Sequence, residues 1–146
     1  MVGAEKIFVN VSLADLAHIR QYGEQAAMAL GSDPDAVGEA IVAINEAVAN
    51  IIRHGYQGRP GRIEIAVQRD GLDLVIKIWD NAPLFNPLSV PEPNTSLPLE
   101  QRPFGGMGVY MMRHFSDELS YQITPEGKNE VTLRKQNAFA GSHLGG

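Results

Sequence analysis

The spacing of apolar positions changes several times along the chain, and each change marks an element. Ile7-Phe8-Val9-Asn10-Val11 is a short β-rich run that predicts a strand. Ser12, with Asp15 three residues on, caps a helix predicted to run to about Leu30 and to end at Gly31. Asp33-Pro34 restarts helix, because Asp suits the N-cap and Pro the first helical position. Val37, Ile41, Ile44, Val48 and Ile51 then share one face, up to a stop at Gly55. From Arg62 the period falls to two, and the strands Arg62–Arg69 and Leu72–Trp79 flank Asp70-Gly71, a two-residue hairpin signal.

Periodicity then weakens from Asn81 to Phe104, a stretch holding six of the chain's nine prolines. Loops beyond about 12–15 residues inside compact domains are mostly functional lids or disordered segments. A helix is predicted over Val109–Phe115, and a last hairpin joins Leu119–Thr124 to Glu130–Lys135 around Pro125-Glu-Gly127. The order β-α-α-β-β-lid-α-β-β predicts an α/β (α+β) fold. Its form is a two-layer sandwich, with helices covering one face of a mixed, mainly antiparallel sheet. A single domain over residues 1–136 is expected, followed by a flexible tail over 137–146.

Composition narrows the function classes. Hydrophobic residues make up 44% of the 146 and charged residues 20%, as in an ordinary globular domain. The net charge of −5 and the absence of a basic run argue against a nucleic-acid ligand. Without cysteine there is neither a disulfide framework nor a thiolate metal site. No apolar stretch approaches spanning length, so a cytoplasmic protein away from membranes is expected.

Three islands carry candidate chemistry. Glu46 and Asn50 lie one helical turn apart and project together, with Arg53 and His54 a turn further. That arrangement suits a general base beside a metal ligand, although a solvated outer face would show the same spacing. His54, just before a helix-ending glycine, also suits simple complementation of the helix dipole. Asp80 continues the alternation of Leu72, Leu74, Ile76 and Ile78, so it must be hydrogen-bonded or liganded, either as a turn cap or as an acceptor for an adenine amino group. Gly105-Gly-Met-Gly108 opens a helix after the long loop, and its bare N–H groups form a phosphate cradle. Neither a Walker A loop nor the landmarks of eukaryotic-type kinases occur.

In this order the islands resemble the GHKL ATP-binding superfamily, and more closely the bacterial anti-sigma-factor serine/threonine kinases of partner-switching pathways. Glu46-Ala-Val-Ala-Asn50-Ile-Ile-Arg-His54-Gly-Tyr56 is similar to the family's N box, Asp80-Asn-Ala-Pro-Leu-Phe-Asn-Pro87 to its first glycine box, and Gly105-Gly-Met-Gly108-Val-Tyr-Met-Met112 to its second. The lid run Leu97–Pro103 and the segment Ser116–Tyr121 share the family's character, and the similarity spans essentially the whole chain.

The resemblance implies an ATP site contacted by Asn50, Arg53, His54, Asp80, Ala82, Gly105, Gly106, Met107, Gly108, Val109 and Thr132, with Mg²⁺ held by Asn50. It further implies that Glu46 is the catalytic base toward a serine or threonine of a STAS-domain anti-sigma-factor antagonist, with Arg53 and Arg102 as candidate aids to phosphate charge. A sigma factor or another regulator would be sequestered, and a homodimer is expected. One position departs from the pattern: the first glycine box has Gly two residues after its Asp, where this chain has Ala82. If that position needs positive φ, alanine costs about 1 kcal/mol or more; if it serves close approach, the methyl crowds the adenine. The departure motivates an alternative expectation, a regulatory binding module that transfers no phosphate. A histidine-kinase catalytic domain, a chaperone or a topoisomerase fits less well for want of further elements.

Overall fold

The computed structural model describes residues 2–89 and 106–139. Local signals set the helices. Ser12 Oγ accepts from the Ala14 N–H at 3.3 Å, and Asp15 Oδ2 accepts from the Ser12 N–H at 2.8 Å, the reciprocal bonds of a capping box. A single 3₁₀ turn, Leu13–Asp15, leads into α1, Leu16–Leu30. Gly31, at φ 95°, ends α1 in the left-handed conformation that side chains avoid. Asp33 caps α2, Pro34–Asn50, by accepting from Ala36 N at 3.1 Å. Ile51–Gly55 continues α2 as one π-turn, closed by a bond from Tyr56 N to Ile51 O at 2.8 Å.

Five strands form one sheet: β1 Val2–Phe8, β2 Ile63–Asp70, β3 Asp73–Asp80, β4 Glu118–Ile123 and β5 Asn129–Lys135, in the order β1-β2-β3-β5-β4. Every pairing is antiparallel, a simpler arrangement than the mixed, mainly antiparallel sheet expected. A third helix, α3 Gly106–His114, packs with α1 against α2 on one face of the sheet. The two-layer sandwich is therefore as anticipated.

The core lies between the layers. Ile63, Ile65 and Val67 of β2, Leu74, Ile76 and Ile78 of β3, and Val131 and Leu133 of β5 all point at the helices, each under 5% exposed. At roughly 1.5–3 kcal/mol per buried aliphatic side chain, this row is a main source of stability. Register sets where it ends: Ile78 stands opposite Ile65 and Val131, and one step on Asp80 stands opposite Ile63 and Asn129. The apolar row thus finishes in a polar pair.

Two expectations need correction. The first strand is Val2–Phe8 rather than Ile7–Val11, because Phe8 already pairs with Ile63, the first residue of β2. Beyond it Asn10 turns to φ 51°, and Val11 tucks into the core while its N–H reaches Gly61 O at 2.9 Å. The tail expected from residue 137 also begins too early. Ala138 and Phe139 are fully buried, Asp33 N donates to Ala138 O at 2.6 Å, and the Arg69 guanidinium lies 4.3 Å from the Phe139 ring centre. Among the described residues, no helix is long and apolar enough to cross a membrane.

Candidate functional site

A cavity of about 480 Å³ opens where α2, the π-turn and the ends of β3 and β5 meet. Ala47, Ile51, Met112 and Val131 supply apolar lining, Asn50, His54, Asp80 and Asn129 supply polar groups, and Leu84 and Phe85 are exposed lining residues. This pairing of apolar lining with a few convergent polar groups is what a small-molecule site requires.

Asp80, 5% exposed, is the chemical centre of the lining. Its Oδ1 accepts from Ala82 N and from Asn129 Nδ2, both at 2.9 Å. Burial pushes the carboxyl above the usual carboxylate range, and these two bonds oppose the push. Both of these bonds fall on Oδ1. A buried carboxylate bordering the cavity is a natural acceptor for the amino group of a heterocycle such as adenine.

Glu46 and Asn50 sit one turn apart on α2, as the spacing predicts, and Asn50 lines the cavity. Glu46 stands just outside it against α3: a Cβ placed on Gly108 would lie 3.4 Å from Glu46 Oε2. The carboxylate therefore faces bare backbone in the first turn of α3. Gly106 and Met107 open that helix, Val109 is buried, and Gly105, Arg102 and the lid run lie outside the described residues.

Arg53 is not brought to the cavity. It lines a separate depression with Ser12, Leu13 and Gly58, while His54, four residues after Asn50, borders both. Thr132 is likewise elsewhere. It lies on the opposite face of β5, beside Lys77 and Ser120, because side chains alternate along a strand. The expected nucleotide contacts of Arg53 and Thr132 are not supported by this geometry.

Ala82 is not strained. Among the described residues, the non-glycine positions of positive φ are Asn10, Gln57 and Asn137. Its methyl, 7% exposed, is matched by an absence opposite, since a Cβ on Gly55 would lie 2.9 Å away from it.

Two side chains of the site escape sequence reasoning. Tyr56 donates its hydroxyl proton to Arg62 O and accepts from Asn81 N at 2.9 Å, tying the π-turn to the strand ends. Its ring covers Gly61, where any Cβ would meet it at 2.3 Å. Asn129 is the larger omission. Its Nδ2 reaches Ala82 O at 3.1 Å and Pro83 O at 3.3 Å besides Asp80, and its Oδ1 accepts from Phe85 N at 3.0 Å and from Tyr121 OH. A signal was available: Asn129 heads the series Val131 and Leu133 just as Asp80 ends the series Leu74, Ile76 and Ile78.

Comparison with known proteins agrees with this arrangement. Residues 9–135 match the family described as the histidine kinase-like ATPase domain. The serine/threonine-protein kinase BtrW of Bordetella bronchiseptica is 32% identical over 95 residues, 64% of this chain and 66% of that protein. The chain thus spans just under two-thirds of that relative's length. The anti-sigma F factor of Thermoanaerobacter sp. (strain X514) is 32% identical over 120 residues, 80% of this chain and 81% of that protein. In fold, a chain of the SiaB–SiaC complex from Pseudomonas aeruginosa superposes with a TM-score of 0.52 at 17% identity, over 88% of both chains. The family match runs across every element that builds the cavity, and the chain belongs to the histidine kinase-like ATPase family, with the anti-sigma F factors among its relatives.

Proposed function

We propose that the chain is a Mg-ATP-dependent protein serine/threonine kinase that acts as an anti-sigma regulatory factor, with a STAS-domain antagonist as the phosphorylated partner and a sigma factor or similar regulator as the sequestered one. The observation that carries this reading is the buried Asp80 at the end of the apolar row, lining the same cavity as Asn50, with Glu46 one turn away.

Each residue has a stated task. Asp80 Oδ2 accepts a hydrogen bond from the adenine amino group, and the apolar lining excludes water from the ring faces. Asn50 offers a carbonyl oxygen to the metal. Among the described residues no group of three His, Asp or Glu side chains could hold a metal ion, so Asn50 would hold Mg²⁺ only together with the nucleotide, and the ion would supply neutralisation of phosphate charge. Glu46 takes the proton of the substrate hydroxyl as that oxygen bonds to the γ-phosphorus; the bond to the bridging oxygen breaks and ADP leaves. The first turn of α3 presents backbone N–H groups near Glu46, where transferring phosphate needs donors.

The unstrained backbone of Ala82 and the space left by Gly55 favour this reading over a nucleotide-free module. Incubating the chain with γ-labelled ATP, Mg²⁺ and purified STAS-domain proteins of its source organism tests the proposal. Label on a serine or threonine of one of them supports it, whereas nucleotide binding without any transfer leaves a binding module in its place.

A further inference from the structure

Asn129 is 4% exposed, on the sheet, and every hydrogen-bonding site of its amide is used. The orientation of that amide is not arbitrary. Phe85 N–H only donates, so the atom 3.0 Å from it is the oxygen, and the Tyr121 hydroxyl donates to the same oxygen. The nitrogen therefore faces three acceptors: Asp80 Oδ1 and the carbonyls of Ala82 and Pro83. Ala82 N–H also donates to Asp80 Oδ1. With two donors aimed at it, Oδ1 has no room for a proton.

We propose that Asn129 is the positioning residue that makes Asp80 read a 6-amino purine and reject a 6-keto purine. This rests on the nucleotide reading above. Pinned at Oδ1, an ionised Asp80 offers the cavity an acceptor alone, Oδ2. An exocyclic amino group satisfies it; a keto oxygen in the same place sets two acceptors face to face, a repulsive device for specificity. Burial works against this state because it favours the protonated carboxyl, whose Oδ2–H would donate to a keto oxygen. The donation from Asn129 opposes that. The titratable groups nearest Asp80 are the phenols of Tyr56 and Tyr121, both pushed up by burial and hence neutral, and His54 lines the same cavity. Arg62, Glu64 and Lys128 share a second, shallow depression with Asp80, and the arginine lining the cavity itself, Arg59, is exposed. The same amide grips the two carbonyls and the N–H of residues 82–85, so the reader and the segment leaving it are set by one side chain.

The test is calorimetric titration with Mg-ATP and Mg-ITP, whose bases differ at the 6-position, on the unsubstituted chain and on Asn129→Leu and Asn129→Ala. The unsubstituted chain is expected to prefer ATP by at least ~10-fold, since a site built to bond a polar group rejects the analogue lacking it. Both variants are expected to narrow that ratio about tenfold, with ITP gaining relative to ATP. A merely structural role would weaken both nucleotides by one factor, and that result overturns the inference while leaving the nucleotide site standing. If Asn129→Leu shows no cooperative melt, Asn129→Ala is read by the same criterion. Failure of the unsubstituted chain to bind ATP would remove the nucleotide reading and this inference together.

Discussion

Gly55 and Ala82 face each other in the cavity wall, and a methyl on Gly55 would stand 2.9 Å from the methyl of Ala82. The alanine that departs from the family's glycine box is thus seated in space that the end of the π-turn leaves open. Its neighbours hold it there: Ala82 N donates to Asp80 Oδ1 and Ala82 O accepts from Asn129 Nδ2. Position 82 is packed against position 55, so the two are chosen together.

That coupling is measurable. Gly55→Ala is expected to destabilise the fold by about 1–3 kcal/mol through overpacking. Adding Ala82→Gly is expected to recover most of the loss, so denaturant midpoints of the four forms would give a non-additive cycle. Additive effects would mean that the two methyls do not compete for one space.

Glu46→Ala is expected to lower phosphoryl transfer by about 10²–10⁴-fold, the range for losing a general base. ATP affinity should hardly change, because Glu46 stands beside the cavity without lining it. Single-turnover transfer and equilibrium binding, measured on the same samples, separate the two effects. Unchanged transfer would remove Glu46 from the role of base.

Asp80→Asn gives a pH-dependent signature. The folded carboxyl titrates above its ordinary value of 3.8 because burial disfavours the charge. The folded state therefore holds the proton more tightly than the unfolded chain, and stability falls as pH rises from 3.8 through the folded value, then levels off. Asparagine keeps an acceptor for Ala82 and Asn129 without the charge. In the absence of ligand the variant should be the more stable form at neutral pH, with the gap closing as pH drops below the folded value. Melting curves across that range check it, and a gap that widens toward acid would show that Asp80 stabilises the empty fold by its charge.

What the sequence made legible was local. The Ser12–Asp15 box, the Asp33-Pro34 start and the stop at Gly31 each act within a few residues, and each is found. The hairpin is found too, but it turns at Gly71-Leu72, one residue later than expected, because Asp70 pairs with Asp73. The run Leu74, Ile76, Ile78, Asp80 is also found, because alternation alone predicts its face. The errors came from distant or one-residue effects. The placement of β1 depends on where β2 begins, more than fifty residues later. Arg53 sits at the margin of the Asn50 face and falls in the neighbouring depression, a distinction that spacing alone does not make. Thr132 and Asn129 lie on the same strand at odd spacing, so choosing one for the cavity excludes the other. Phe139 joins the core through Leu72 and Arg69, partners that no local pattern names.

The most direct test of the central claim is calorimetric titration of the purified chain with ATP and with GTP, each with and without Mg²⁺. The account predicts binding that favours ATP, strengthens with Mg²⁺ and is lost in Asp80→Ala. Equal affinity for the two nucleotides, or no heat from either, would contradict it.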